Sequence, residues 1–309
     1  HAAIKDQLDG PAKTSAASVP PTTIADQLVK SLTKRFDNDH GGLQQAPKFP
    51  SSFPIRLFLR QSHRSGNKAA LNMALRTLRQ MAAGGIYDQL GGGFHRYSVD
   101  GQWLVPHFEK MLYDNGLLVM AYLEAYQITG DEEFAQTARE TLNYILRDMT
   151  SDEGAFFSAT DADSPDPEKP EQREEGLYFT WTPEEIIALL DKDEAAVIGA
   201  YYQVTKEGNF EGRSILHRKH EIADVAKGLK LPLAKAKAAL ESGRQKLFAA
   251  REKRLPPLRD EKILTAWNGL VIEALALGAR VLKDETYLDA AQRASLFILE
   301  KMTHNRRLY

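Results

Sequence analysis

The chain has 309 residues, 43% hydrophobic and 27% charged, a balance that supports a sizeable buried core and excludes disorder as the default. Its 40 basic and 42 acidic residues leave a formal net charge of -2, which excludes the overall field of a nucleic-acid binder. Cysteine is absent, which removes disulfides, Cys-ligated zinc, thiolate nucleophiles and dithiol redox chemistry from this stretch.

Residues 1–21 are rich in Ala, Ser, Pro and Lys without apolar periodicity, and read as a linker or the tail of a preceding domain. The chain opens at His1 rather than Met, so a preceding part, with any targeting signal, is expected to have been removed. From Thr22 on, helical patterns come in succession. They run over Thr23–Phe36, Phe53–Ser65, Lys68–Ala83, Pro106–Thr129, Asp131–Met149, Pro183–Leu190, Glu194–Tyr202, Leu233–Lys253, Lys262–Leu282 and Asp284–Met302. Strand-like stretches are few, chiefly Leu177–Trp181 and a short one around Phe156. Glu273 interrupts the most apolar run, Leu270–Ala279, so no segment reaches the roughly 18 to 20 residues of a membrane span. No membrane partner is expected, and a cytoplasmic location is favoured.

An internal repeat stands out at an offset of 153 residues. Asn115-Gly116-Leu117 returns as Asn268-Gly269-Leu270 and Asp131-Glu132 as Asp284-Glu285. Further on, Phe134 answers Tyr287, Ala138 answers Ala291, Tyr144-Ile145-Leu146 answers Phe297-Ile298-Leu299, and Met149 answers Met302. In each copy the first helix is apolar nearly all round and the second carries charge on one face, so the first is expected inside and the second outside. A looser repeat follows glycine turns: Gly41-Gly42-Leu43, Gly92-Gly93-Phe94, Gly154-Ala155-Phe156 and Gly208-Asn209-Phe210, at spacings of 51, 62 and 54. Inner–outer helix pairs of roughly 50 residues fit an open solenoid or an α/α toroid. Polar residues gathered at the starts of the inner helices, as in Pro106-His107 and Asp260-Glu261-Lys262, favour the toroid. The expected fold is therefore all-α, an (α/α)6-type toroid over 22–309 with a few short strands in loops. Since Arg307-Leu308-Tyr309 matches Gly154-Ala155-Phe156, the ring is expected to lack its closing hairpins.

Polar and aromatic residues crowd into four clusters. Pro106 suits the first position of a helix, which would place His107, Lys110 and Asp114 within about a 60° arc, with Glu109 and Tyr113 on the other side. His107 would then feel the helix dipole and be held neutral, as a base requires. The plainer alternative is a Lys110–Asp114 pair with a histidine satisfied by the backbone. His95, Arg96 and Tyr97 follow Gly91-Gly92-Gly93, either presented to the ring interior or on a solvated turn. No strand precedes these glycines and no GK[ST] follows, so no nucleotide is expected, nor any other cofactor. Asp161 and Asp163 suit either paired-carboxylate chemistry or Asx turns and helix caps. Pro165 and Asp166 break an EF-hand pattern, and no metal ligand set is assigned, although calcium in the acidic loop 161–175 stays open. Asn115 and Asn268, equivalent through the repeat, read best as holders of neighbouring loop carbonyls. Trp267, with Trp103, Trp181, Tyr97 and Tyr113, forms either a sugar-stacking platform or part of the core.

Several blocks together resemble a known family: APKFP (Ala46–Pro50), GGIYDQLGGGFHRYSVD (Gly84–Asp100), W-x-VPHFEKMLYDN (Trp103–Asn115), FSATDADS (Phe157–Ser164), EEG-x-Y-x-x-WT (Glu174–Thr182) and LTAWNGL (Leu264–Leu270). They look like the hallmark blocks of the thioredoxin-domain proteins that include bacterial YyaL and spermatogenesis-associated protein 20. The resemblance implies a thioredoxin-like domain N-terminal to this chain and a toroid similar to N-acylglucosamine 2-epimerases and six-hairpin glycosidases. The family brings no secure activity of its own; the polar and aromatic clusters, set in such a toroid, lead to the expectation of a carbohydrate ligand and a carbohydrate-directed activity, hydrolase or epimerase. Catalysis would fall to His95, His107, Asp114, Asp161 and Asp163, with Arg96, Tyr97, Trp103, Glu109, Tyr113, Asn115, Trp267 and Asn268 binding substrate. As a hydrolase, Asp114 and one of Asp161 or Asp163 would be acid and base; as an epimerase, His95 and His107 would move the proton. The alternatives are a non-catalytic glycan- or protein-binding module serving a thioredoxin-like domain, and a purely structural toroid.

Overall fold

A computed structural model of the chain describes residues 23–166, 169, 171–305 and 307–308. The expected linker over 1–21, and Tyr309, lie outside the described residues. The helices are α1 (Thr23–Lys34), α2 (Ser52–Ser65), α3 (Lys68–Ala83), α4 (Leu112–Thr129), α5 (Glu132–Asp148), α6 (Pro183–Leu189), α7 (Lys192–Tyr201), α8 (Ile222–Gly228), α9 (Leu233–Arg251), α10 (Thr265–Leu282) and α11 (Glu285–Lys301).

Three helical hairpins, α2–α3, α4–α5 and α10–α11, stand side by side. Helix α4 packs against α2 on one flank and α10 on the other, and each carries its own outer partner. This inner–outer order is that of an α/α toroid. Sequence dictates which helix goes inside. Leu118 to Leu123 are six consecutive buried residues, so α4 has no polar face to offer water. Helix α5 buries Phe134, Ala135, Thr137, Ala138, Thr141, Leu142, Tyr144 and Ile145, a single stripe at helical spacing. The repeated Asp131 and Asp284 are both N-caps, their carboxylates accepting from Glu133 N at 3.1 Å and Thr286 N at 3.0 Å.

Short strands stitch the loops above the inner helices. They are β1 (Tyr97–Ser98), β2 (Pro106–His107), β3 (Lys110–Met111), β4 (Ala159–Thr160), β5 (Asp163–Pro165), β6 (Arg173–Glu175), β7 (Arg259–Asp260), β8 (Thr303–His304) and β9 (Arg307–Leu308). All pair antiparallel: β1 with β2, β3 with β4 and β4 with β7, β5 with β6, β8 with β9. The stretch Leu177–Trp181 is a turn ending in a single bridge from Trp181 to Ser214, and Phe156 likewise makes one bridge, to Thr150.

Three expectations are corrected. First, the helix expected from Pro106 begins at Leu112, because 106–111 pair with distant chain: Arg96 N donates to Glu109 O and Leu112 N to Ser158 O. Proline at the first residue of a strand needs no N–H, so Pro106 marks β2 rather than a helix start. Second, Gly208-Asn209-Phe210 is not a ring turn. Leu43, Phe94 and Phe156 bridge back to the chain leaving an outer helix, whereas Phe210 bridges forward to Arg213. Third, α6 to α9 pack among themselves, with their own apolar clusters, and α4 meets α10 directly. Helices over 183–251 are therefore an insertion between two ring hairpins.

Candidate functional site

The strand pairing of β1 with β2 sets Tyr97 opposite His107, and the two rings stack at 4.9 Å with Phe49 against the far side of Tyr97 at 5.0 Å. Strand alternation sends His107 and Glu109 to one side, and Phe108 and Lys110 to the other, where both are buried. On the open side a chain of ionic contacts forms. Arg96 Nη1 donates to Glu109 Oε2 at 2.8 Å, the same oxygen lies 3.2 Å from His107 Nε2, and His107 Nδ1 lies 2.7 Å from Glu175 Oε1. The Glu109 hydrogen bond lifts the Arg96 pKa above its ordinary value.

The first turns of α4 and α10 complete this mouth. Tyr113 and Trp267 meet edge to face at 4.7 Å. Beside Tyr113, burial pushes the Asp114 carboxyl up to about 7, against the opposing pull of the Arg96 charge. Such a carboxyl is half protonated near neutrality and serves either as donor or acceptor of a proton.

Arg96, Tyr97, His107, Glu109, Tyr113, Asp114 and Trp267 are thus brought together. Asp161 directly follows β4, and Asp163 opens β5. Asp161 Oδ1 accepts from Ala162 N at 2.7 Å, and Asp163 pairs through its backbone with Glu175, the partner of His107. Among the described residues no group of three or more His, Asp or Glu is arranged to hold a metal ion.

Five expected contributors are corrected. His95 is 1% exposed, its ring wedged edge-on to Phe108 and Phe179 with Nδ1 2.8 Å from Phe108 O, and burial drives its pKa down to about 3. Trp103 is equally buried, its Nε1 donating to His40 O at 2.9 Å, and Trp181 is buried beneath the Arg254 guanidinium. Asn115 and Asn268 have no exposed surface. Asn115 Oδ1 accepts from Phe94 N at 2.7 Å while Nδ2 donates to Phe94 O and Met111 O; Asn268 repeats this with Phe156 N at 2.8 Å, Phe156 O and Leu264 O. Their work is to pin each glycine turn to the inner helix. His107, lying in a strand, feels no dipole of its own helix, and Lys110 pairs with Asp88 rather than Asp114. Glu175 was missed as a site residue, although Glu174-Glu175-Gly176 stands out in the sequence as an acidic pair before a turn.

The fold and this mouth define an α/α-toroid protein with polar and aromatic residues gathered where two inner helices begin. Among its relatives is spermatogenesis-associated protein 20 of Homo sapiens, 36% identical over 312 residues that cover 92% of this chain and 39% of that protein. An uncharacterized protein of Caenorhabditis elegans is 31% identical, over 88% of this chain and 40% of that one. The chain therefore spans about two-fifths of the length of the curated relatives it matches. No family model matches it. Among solved structures, the GH76A α-1,6-mannanase from Salegentibacter sp. HEL1_6 aligns with a TM-score of 0.43 at 14% identity, covering 82% of this chain and 47% of that one. Cellobiose 2-epimerase from Bacillus thermoamylovorans B4167 aligns with a TM-score of 0.38 at 14% identity, covering 91% and 89%.

Proposed function

We propose that the mouth formed by β1, β2 and the first turns of α4 and α10 is a carbohydrate-directed site in which Asp114 transfers the proton. The observation that carries this reading is a carboxyl raised to about 7 beside two half-buried aromatic rings and a row of charged hydrogen-bonding groups. Sugars present apolar C–H faces that stack on rings such as Trp267 and Tyr113, and hydroxyls that bridge groups such as Arg96, Glu109 and Glu175. In glycoside chemistry Asp114 would protonate the leaving oxygen, and an ionised carboxylate across the sugar would complete the pair, with Asp161, Asp163 and Glu109 as candidates. His107, bracketed by Glu109 and Glu175, would orient substrate rather than carry a proton away. The chain's resemblance to thioredoxin-domain proteins adds that such a domain, N-terminal to the toroid, would receive or supply the client of this site.

A second reading, a binding module without catalysis, draws on the same bracketing: Arg96, Glu109, His107 and Glu175 already satisfy one another. One experiment separates the two. A panel of manno-, gluco- and N-acetylated oligosaccharides is offered to the protein, with binding and turnover followed together. The catalytic reading expects Asp114→Asn to lose at least about 100-fold in turnover with binding kept, and Trp267→Ala to lose binding. Binding that disappears in Trp267→Ala without turnover by the native protein leaves the module; no binding at all sinks both.

A further inference from the structure

On the opposite side of β3 from His107 and Glu109 lies a cavity of about 360 Å³. Its floor is a cross-strand row, Lys110 opposite Thr160 and Thr160 opposite Arg259, which the register of β3, β4 and β7 brings onto one face. The end of α5 supplies Tyr144 and Arg147, and the last residue of α9, Arg251, closes it from the inserted helices. Asp114 does not border this space, so it is separate from the mouth described above.

Cations crowd the inner end of this space. Lys110, Arg251 and Asp88 are all buried, at 2%, 3% and 6% exposure. Asp88 Oδ2 accepts from Lys110 Nζ at 2.8 Å and its Oδ1 from Arg251 Nη1 at 2.7 Å, so one carboxylate serves two cations. Burial alone would raise the Asp88 pKa, but the Arg251 and Lys110 charges outweigh it and hold the carboxyl well below its usual range. The trio itself sums to one positive charge, answered at longer range by the Asp148 and Glu252 carboxylates that also line the cavity. Arg251 has five N–H donors, yet its Nε has no partner among the described residues although the atom is buried. Arg147 and Arg259 add charge at the edge, each answered by one neighbouring carboxylate, Asp148 and Glu261. The Glu252 carboxylate at the rim accepts from Tyr178 Oη at 2.9 Å.

The second hairpin of the repeat does without this polar set. At the 153-residue offset the second copy carries Ile263 for Lys110, Phe297 for Tyr144 and Glu300 for Arg147, in a hairpin of the same build. A buried cation without a counterion is costly, and an apolar residue serves the same packing.

We propose that this cavity binds a small anionic metabolite through one oxyanion group, a carboxylate or a phosphate, lodged against Arg251 and Lys110. Tyr144, Tyr178 and Phe179 wall the space and hold the rest of the molecule. The volume lies at the small end of ligand pockets, which fits a single-ring compound such as a sugar acid or sugar phosphate.

The test is calorimetric titration of the protein in low-salt, phosphate-free buffer with two probes, inorganic phosphate and glucuronate, and with glucose and sodium chloride as controls. At least one probe should bind saturably with a Kd below about 5 mM while glucose does not. Phosphate alone, glucuronate alone or both identify which oxyanion source fits. Lys110→Met should abolish the response, and Arg259→Gln, on an exposed side chain that folding does not need, should weaken it at least about 5-fold. If Lys110→Met does not fold, Arg259→Gln and Arg147→Gln decide the matter. No saturable response to either probe, or one unchanged in the arginine variants, overturns the proposal.

Discussion

Replacing Asn115 by alanine removes three hydrogen bonds at a site with no exposed surface, and the cost can be worked from what is left behind. Phe94 N loses its acceptor at 2.7 Å and Phe94 O its donor at 3.1 Å, while Met111 O loses a donor at 2.9 Å. A buried N–H left unpaired costs about 1–3 kcal/mol, and each orphaned carbonyl adds a smaller amount, so the loss comes to about 3–4 kcal/mol. Against a typical stability of about 5–15 kcal/mol that is a large fraction. Urea unfolding followed by far-ultraviolet circular dichroism would read it as a shift in midpoint at constant slope. Asn268→Ala removes the equivalent three bonds to Phe156 and Leu264 and should cost the same to within about 1 kcal/mol. Asn115→Asp keeps the acceptor for Phe94 N but loses both donations and buries a charge, so it should cost at least as much as alanine. A loss under about 1 kcal/mol for either alanine variant would refute the claim that these residues are the pins of the ring turns.

Three further outcomes follow from the same structure. The Asp114 carboxyl titrates at about 7 folded against 3.8 in an ordinary setting, so its contribution to stability is full below about pH 4 and is lost as pH rises through about 7. Asp114→Asn escapes that loss and should gain on the native protein by about 1–3 kcal/mol between pH 4 and 8, read from paired denaturation curves. In the buried trio, Asp88→Asn leaves two cations side by side and should cost about 3–5 kcal/mol, whereas Lys110→Met leaves an even Asp88–Arg251 pair and should cost clearly less; equal losses would contradict the charge surplus. Lys283 caps α10 at φ 56, where the first copy uses Gly130 at φ 69, so Lys283→Gly should raise stability by about 0.5–1 kcal/mol in thermal unfolding.

Helices with a strong apolar period were legible in the sequence to within a few residues, and so was the inner–outer order, because burial on all sides or on one stripe is written in composition. What was not legible depended on distant partners. Pro106 marks a helix start or a strand start equally well, and only Ser98 just before it and Ser158 far along the chain decide for pairing. Once 107–111 is strand, period two separates His107 and Glu109 from Phe108 and Lys110; read as helix, the same residues fall on the wrong faces. Gly208 has the positive φ expected of it, yet sits in the insertion, since the turn's conformation carries no information about which helix follows. Arg251 could not be joined to Asp88 by any local signal, being 163 residues away.

The repeat also works as an internal control on function. Positions that carry the same residue in both copies hold the scaffold: Asn115 and Asn268 pin turns, Asp131 and Asp284 cap outer helices, and Ala138 and Ala291 are buried where each outer helix packs inward. Several positions where the copies part company gather at the two polar sites. Asp114 faces Trp267 in the alignment and Tyr113 faces Ala266, so one copy gives the mouth its carboxyl of raised pKa and the other its indole ring. Lys110 against Ile263, Tyr144 against Phe297 and Arg147 against Glu300 all belong to the anion cavity. The two hairpins thus share the asparagine pins and the aspartate caps and differ at residues that line the two polar sites. Exchanging Lys110 for Ile and Tyr144 for Phe, the residues of the second copy, should therefore leave a folded toroid and remove the anion response, whereas exchanging Asn115 for alanine should destabilise the toroid itself.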